Sequence, residues 1–265
     1  MRVHSAEPLR SSDTVLEFVV EAGACAALRA ILDHAFVPSD LLVSDHIPVI
    51  PAVFVSDMDS TMIGQECIDE LADFAGIKTQ IAEITERAMQ GELDFAEALT
   101  ARVDLLGGLG EDAILQCLDQ RISPMPGAKT LVTTLKAHGC RTVLVTGGFH
   151  QFADPVAEQL GFELVVANRL AVEYGKLTGG LLGDIVDSSV KRQVLLQEVE
   201  RLNGEASLAT GDGANDIPML QAASYGVAYY AKPKARAAAD GTIDRGDLTS
   251  VLRLLGIAET DWVRG

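Results

Sequence analysis

The sequence is poor in cysteine, in positive charge and in long apolar runs, and each shortage excludes something. The four cysteines, Cys25, Cys67, Cys117 and Cys140, are far apart, with no CxxC pair and no histidine at ligand spacing. That argues against a disulfide framework or structural zinc and fits a reducing cytoplasm, so a cytoplasmic location is expected. No apolar run reaches the ~18 residues of a membrane-spanning helix, so no membrane partner is expected. The first residues, MRVHSAEPLRSSD, open polar and lack the apolar segment of a secretory leader. The five histidines (His4, His34, His46, His138, His150) show no HExxH-type spacing and read as structural or surface groups. Lys and Arg number 21 against 38 Asp and Glu, a net charge of −17. A surface that acidic repels nucleic acid and anionic lipid, so a small-molecule ligand is expected rather than a polyanion. No internal repeat and no low-complexity tract is visible.

Of the residues that are there, 48% are hydrophobic, enough to bury a sizeable core. The length suits one large α/β domain or a core with a smaller companion. Residues 1–46 contain the strand-like TVLEFVV and a helical stretch near AGACAALRAILDHA. They read as a small N-terminal appendage, packed on the main domain or paired with another subunit, which leaves a homodimer open. HIPVIP reads as a linker. From 64 to 122 apolar residues recur at three and four, as in ECIDELADFAGI and TQIAEITERAM, predicting an inserted bundle of about four helices. On either side, in 47–63 and 123–265, strands and helices alternate, with YGVAYYA as the last core strand. The expected fold is α/β, a Rossmann-like, mostly parallel sheet with helices on both faces and an inserted helical-bundle cap.

Such sheets bind ligands at the carboxyl ends of their strands. Here VFVS runs into Asp57, RTVLV into Thr146 and SLAT into Gly211-Asp212, so polar groups from distant parts of the chain converge on one edge. The stretch VFVSDMDSTM, residues 53–62, ends a buried strand in two carboxylates. They repel each other, and an apolar setting disfavours both unless a cation or proton is present. Asp57, Asp59 and Asp212 form a hard oxygen cluster suited to Mg²⁺, with one carboxylate left to act as nucleophile.

DMDST, TGG, a helix-borne lysine and GDGANDIPML together resemble the four ordered motifs of the haloacid dehalogenase superfamily, over residues 53 to about 245. DSTMIGQECIDELAD, the helical insertion and GVAYYAKPKARAAAD are similar to the phosphoserine phosphatases within it. The resemblance implies Asp57 as nucleophile toward phosphorus and Asp59 as general acid and base. It implies Mg²⁺ held by the Asp57 carboxylate, the Asp59 carbonyl and Asp212, with Asp216 supporting metal-bound waters. Thr146 and Gly147 would hold the phosphate, and threonine stands here where those enzymes commonly have serine. Lys191 would neutralise the phosphoryl group, with Arg192 beside it the competing cation. Asn215 would hydrogen-bond near the phosphate. In the cap, Glu66 and Arg102 would read the ammonium and carboxylate of O-phosphoserine, and Met89 and Phe95 would line the pocket. The implied reaction is hydrolysis of O-phosphoserine, the last step of serine biosynthesis. Transfer of the phosphoryl group to another alcohol, such as homoserine, is the neighbouring alternative, and a non-catalytic phosphate sensor is a third.

Overall fold

The computed structural model describes residues 3–9, 14–21, 23–90 and 92–264. Its centre is the apolar run before the paired aspartates. Val53–Ser56 (β4) is buried at every position, which suits a strand covered on both faces. Parallel neighbours flank it: Arg141–Phe149 (β5) on one side and Ser207–Gly211 (β8) on the other. The parallel set continues to Leu164–Glu173 (β6) beyond β5, and to Tyr225–Tyr229 (β9) and Gly241–Ile243 (β10) beyond β8. Antiparallel strands close both edges, Lys176–Leu182 (β7) on β6 and Leu41–Leu42 (β3) on β10. The order is β3-β10-β9-β8-β4-β5-β6-β7. YGVAYYA is therefore not the last strand of the sheet. β10 and β3, three and two residues long, are too short to carry an alternating pattern.

Alternation along the central strands divides the core between two faces. Phe54, Leu144 and Leu208 point into one cluster, shared with Ala128–Ala137 (α6), His150–Leu160 (α7) and Thr249–Leu254 (α11). Val53, Val55, Val143, Val145 and Ala209 point into the other, against Ser188–Arg201 (α8), Ile217–Ala222 (α9) and Pro233–Ala238 (α10). At Gly226 in β9 a Cβ would lie 2.2 Å from the Leu220 carbonyl oxygen, so only glycine lets α9 pack this closely.

Between β4 and α6 the chain forms four helices: Cys67–Phe74 (α2), Lys78–Met89 (α3), Phe95–Asp104 (α4) and Asp112–Arg121 (α5). Asp94 caps α4 in a reciprocal arrangement with Glu97, satisfying two otherwise orphaned N–H groups. The two connections to the core run side by side. Met125 N–H donates to Met62 O (2.9 Å) and Gly64 N–H to Ser123 O (3.2 Å). Beyond α4 the chain rests on the β6–β7 hairpin, where Gly108 N–H donates to Leu177 O and Leu177 N–H to Leu109 O, both 2.8 Å. The glycine-rich hairpin thus holds the helical bundle over the sheet edge. No helix among the described residues is long and apolar enough to cross a membrane.

The N-terminal segment begins with an antiparallel ribbon, Val3–Pro8 (β1) and Leu16–Val20 (β2), succeeded by Cys25–Ala35 (α1). The polar VHSAEP of β1 gives no strand signal of its own. Polar contacts tie α1 and the residues after it to the core. Arg29 on α1 donates to the carbonyls of Arg236, Ala239 and Asp240 at the end of α10 (2.9–3.1 Å). Asp33 pairs with Arg29 and Arg236, both at 2.8 Å. Asp40 accepts three backbone N–H groups of 244–246 and the Ser250 hydroxyl.

Burial alone would raise the Asp33 carboxyl, but the hydrogen bonds and charges of Arg29 and Arg236 outweigh it and hold its pKa below the ordinary 3.8. Its contribution is thus complete above the ordinary carboxyl value and is lost as pH falls through the lower folded value. Arg29→Ala is expected to cost roughly 1–3 kcal/mol in urea denaturation, from lost charge-assisted bonds and stranded carbonyls. In the wild type, hydrogen-exchange protection of α1 should persist at neutral pH and fade below about pH 4. Unchanged stability in the variant would mean that α1 is held by apolar packing instead.

Candidate active site

Asp57 comes directly after β4. Its N–H donates to Thr210 O of β8 (3.0 Å) and its carbonyl accepts from Ser56 Oγ (2.7 Å), so the residue is clamped between two central strands. The chain then turns, with the N–H of Met62 returning to Met58 O (2.8 Å), and Asp59 comes back to the same side. Cys67, the first residue of α2, donates its N–H to Asp59 Oδ1 at 3.4 Å. Burial first, then the negative charge of Glu66, push the Asp59 carboxyl up to about 7, against the Cys67 hydrogen bonds. A group poised there exchanges its proton near neutrality.

Lys191 arrives from α8, whose first turn is capped by Asp187 accepting from Ser189 and Val190 N–H. Its Nζ lies 2.6 Å from Asp57 Oδ1 and 2.7 Å from Asp216 Oδ1, in a setting where the lysine is 1% exposed. Burial works against its charge, yet the two carboxylates outweigh it and hold Lys191 above the ordinary lysine value. Arg192 is exposed, so of the two neighbouring cations only Lys191 reaches the carboxylates. Asp216 folds back over the β8 end, accepting from Gly213 N–H at 3.0 Å. A Cβ on Gly211 would lie 2.5 Å from Asp216 Cγ, which explains the first glycine of GDGAND.

A cavity of roughly 220 Å³ opens above these groups. Asp57, Asp59 and Asp212 line its floor, and Thr146, Gly147 and Asn215 its sides. Glu66, Phe95 and Arg102 reach it from the helical bundle. Thr146 Oγ1 accepts from Gly148 N–H (2.9 Å). Phe95 closes on Gly147, where a Cβ would come within 3.2 Å of the phenyl ring. Lys191 lies beneath the floor rather than in the cavity lining, and the side chain of Met89 lies outside the described residues.

Oxygens of Asp57, Asp212 and Asp216 all fall within 4.8 Å of one another. The Asp59 carboxylate, expected in the cluster, is not in this group, where Asp216 stands instead. The group's oxygen donors suit a hard cation such as magnesium, which takes one or two carboxylates and keeps several waters. Burial first, then Asp216, press Asp57 toward its neutral form, with Lys191 opposing. Burial likewise raises Asp212, with Lys232 opposing. A divalent cation would relieve both, so the residues fit the group.

Sequence reasoning missed several members of the site. Leu99 lies one turn from Phe95 and one from Arg102 on α4 and lines the cavity with them; its helical spacing was the available signal. Asn168, 2% exposed, donates to Gly147 O (2.8 Å) and accepts from Val186 N–H (2.9 Å), orienting the Gly147 peptide. Lys232, in the AKPKA stretch, lines the cavity and pairs with Asp212 at 3.4 Å.

Comparison with known proteins shows the family. The family model for haloacid dehalogenase-like hydrolases matches residues 54–221. A phosphoserine phosphatase of Idiomarina loihiensis is 46% identical over 209 residues, covering 78% of this chain and 94% of the relative. That of Saccharomyces cerevisiae is 42% identical over 212 residues, covering 79% and 69%. Among solved structures, a substrate-bound phosphoserine phosphatase complex superposes with a TM-score of 0.69 at 35% identity, over 77% of this chain and 97% of the other. An unliganded probable phosphoserine phosphatase of Vibrio cholerae gives 0.77 at 36%, over 92% and 76%. With a family model matched over more than half its length and relatives this similar over most of theirs, the chain belongs to the haloacid dehalogenase-like hydrolases and, within them, to the phosphoserine phosphatases.

Proposed function

We propose that the chain is a Mg²⁺-dependent phosphomonoesterase that hydrolyses O-phospho-L-serine to L-serine and phosphate through an aspartyl-phosphate, as the last step of serine biosynthesis. The observation that carries the reading is the Asp57–Lys191–Asp216 bridge, whose Asp57 lines a cavity together with Asp59 and Asp212. Asp57 attacks phosphorus as the ester P–O bond breaks, and Asp59 gives its proton to the departing serine oxygen. A water then attacks the phosphoryl group, losing its proton to Asp59, and the Asp57–phosphorus bond breaks to release phosphate. The Asp59 carboxyl, at about 7, suits both halves of that exchange.

Lys191 offsets the negative charge that Asp57 and the phosphoryl group share. Thr146 and the N–H of Gly147 supply donors to phosphate oxygens, and Asn215, which lines the same cavity, adds a side-chain donor. Mg²⁺, held by the Asp57 carboxylate, the Asp59 carbonyl and Asp212 with Asp216 supporting its waters, would supply charge neutralisation and in-line alignment. Glu66 and Arg102 are opposite charges on the cap side of the cavity, matched to the ammonium and carboxylate of a phosphorylated amino acid. In domain terms, 64–122 is the cap over a core of 47–63 and 123–265; of the 1–46 expected as an N-terminal appendage, Leu41–Leu42 belongs to the core sheet as its edge strand.

Phosphate release should be strong from O-phospho-L-serine with Mg²⁺, weaker from phosphothreonine and p-nitrophenyl phosphate, and abolished by EDTA. Asp57→Asn should lower turnover by on the order of a thousandfold or more while circular dichroism stays native; full activity in that variant would sink the covalent route. Arg102→Ala should cut kcat/KM for phosphoserine by about 10- to 100-fold, the worth of a charged hydrogen bond, and leave the aryl phosphate nearly unaffected. Equal loss on both substrates would remove Arg102 from carboxylate recognition.

A further inference from the structure

The cavity is lined by a lysine, Lys232, whose position differs in kind from that of the buried Lys191 outside the lining. Lys191 is committed: it is 1% exposed and bound to two carboxylates at 2.6 and 2.7 Å. Lys232 has a fixed root and a free head. Its N–H donates to Asp212 O at 2.9 Å. It caps α10 with φ −60° and ψ 150°, and Pro233 comes next at the first helical position. Proline there fixes the backbone direction. The ammonium, by contrast, sits 3.4 Å from Asp212 Oδ2 on a side chain 68% exposed, at ion-pair range but longer than a good charge-assisted hydrogen bond.

We infer that Lys232 is the exchangeable counter-ion of Asp212: its ammonium and a divalent cation compete for the same carboxylate, so that Lys232 sets how tightly the cation is held. This rests on the reading of the aspartate cluster as a divalent-cation site. Asp57 and Asp216 already have Lys191 as partner, whereas Asp212 has the exposed one. An ion pair this exposed is weak, so a dication displaces it readily. The displaced ammonium has a second carboxylate to turn to. Burial opposes the charge on Lys232, but Asp212 and Glu66 together outweigh it, and both line the same cavity. A lysine in this place repels a dication a few ångströms away, which weakens cation binding without touching the ligand set. It is a positioning residue for Asp212, not a catalytic one.

The test is direct binding rather than turnover. Mn²⁺ is titrated into the full chain and the free ion is monitored by electron paramagnetic resonance, for wild type, Lys232→Met, Lys232→Arg and Asp212→Asn. Lys232→Met is expected to bind Mn²⁺ about three- to tenfold more tightly, as removal of one partly screened charge near a dication implies. The gap should shrink as salt is raised, and Lys232→Arg should stay near wild type. Unchanged or weaker binding in Lys232→Met overturns the inference and leaves the cation site standing. If wild type binds no Mn²⁺, or Asp212→Asn binds as wild type does, the cation-site reading has failed and Lys232 loses its role with it.

Discussion

The site is organised around one buried cation. Lys191 and its two carboxylates sit almost wholly out of water, where none of the three is tolerable alone. Asp57 ends a strand, Asp216 belongs to the loop after β8, and Lys191 rides the first turns of α8, so their mutual need fixes three elements relative to one another. Removing one partner from such a buried set costs about 3–5 kcal/mol, because a charge is then stranded. Local features serve the same bridge. Asp187 caps α8 at the register that aims Lys191 inward, and Gly211 leaves room for Asp216 to fold back. Lys191 engages Oδ1 of Asp57, so the second oxygen of that carboxylate is not held by the bridge.

The helical bundle at 64–122 meets a different constraint, since its residues line the same cavity as the carboxylates. Its two connections lie side by side, and the chain after α4 is bound to the β6–β7 hairpin through backbone hydrogen bonds. With that support α4 brings Phe95, Leu99 and Arg102 to the cavity on one face, and Phe95 meets Gly147 directly. The turn after β5 and the helical bundle are therefore in contact, and any residue larger than glycine at 147 would press on the Phe95 ring that lines the pocket.

What the sequence made legible was whatever has a period or a sharp boundary. β4, β5 and β8 are short apolar runs that stop at polar groups, and the cap helices keep a spacing of three and four. The choice between Lys191 and Arg192 is legible too, from the phase of the helix. Positions 191, 194, 195 and 198 are the buried ones of α8, and the phase set by Val194 and Leu195 selects Lys191. β3 and β10 were not legible, because two or three residues carry no pattern and their pairing is decided by a chain segment two hundred residues away. Asn168 and Lys232 were not legible for another reason. Their roles depend on which backbone oxygen or carboxylate they meet, and that is a property of the assembled sheet edge.

The short helix α10 joins matters that the sequence keeps apart. At its start, the Lys232 N–H is bonded to the carbonyl of Asp212. At its end, Arg29 of the N-terminal segment binds three carbonyls, and Asp33 pairs with Arg236. Six residues of helix thus span from Asp212 to the N-terminal segment that carries Arg29 and Asp33. A helix so short has little stability of its own, so its position is set by what grips its two ends. The N-terminal segment then has a physical reason to be present: it holds the far end of the element that presents Lys232 to the pocket. In a chain with a net charge of −17, this fixes the root of a cation at a carboxylate-lined cavity while its exposed head stays only weakly paired.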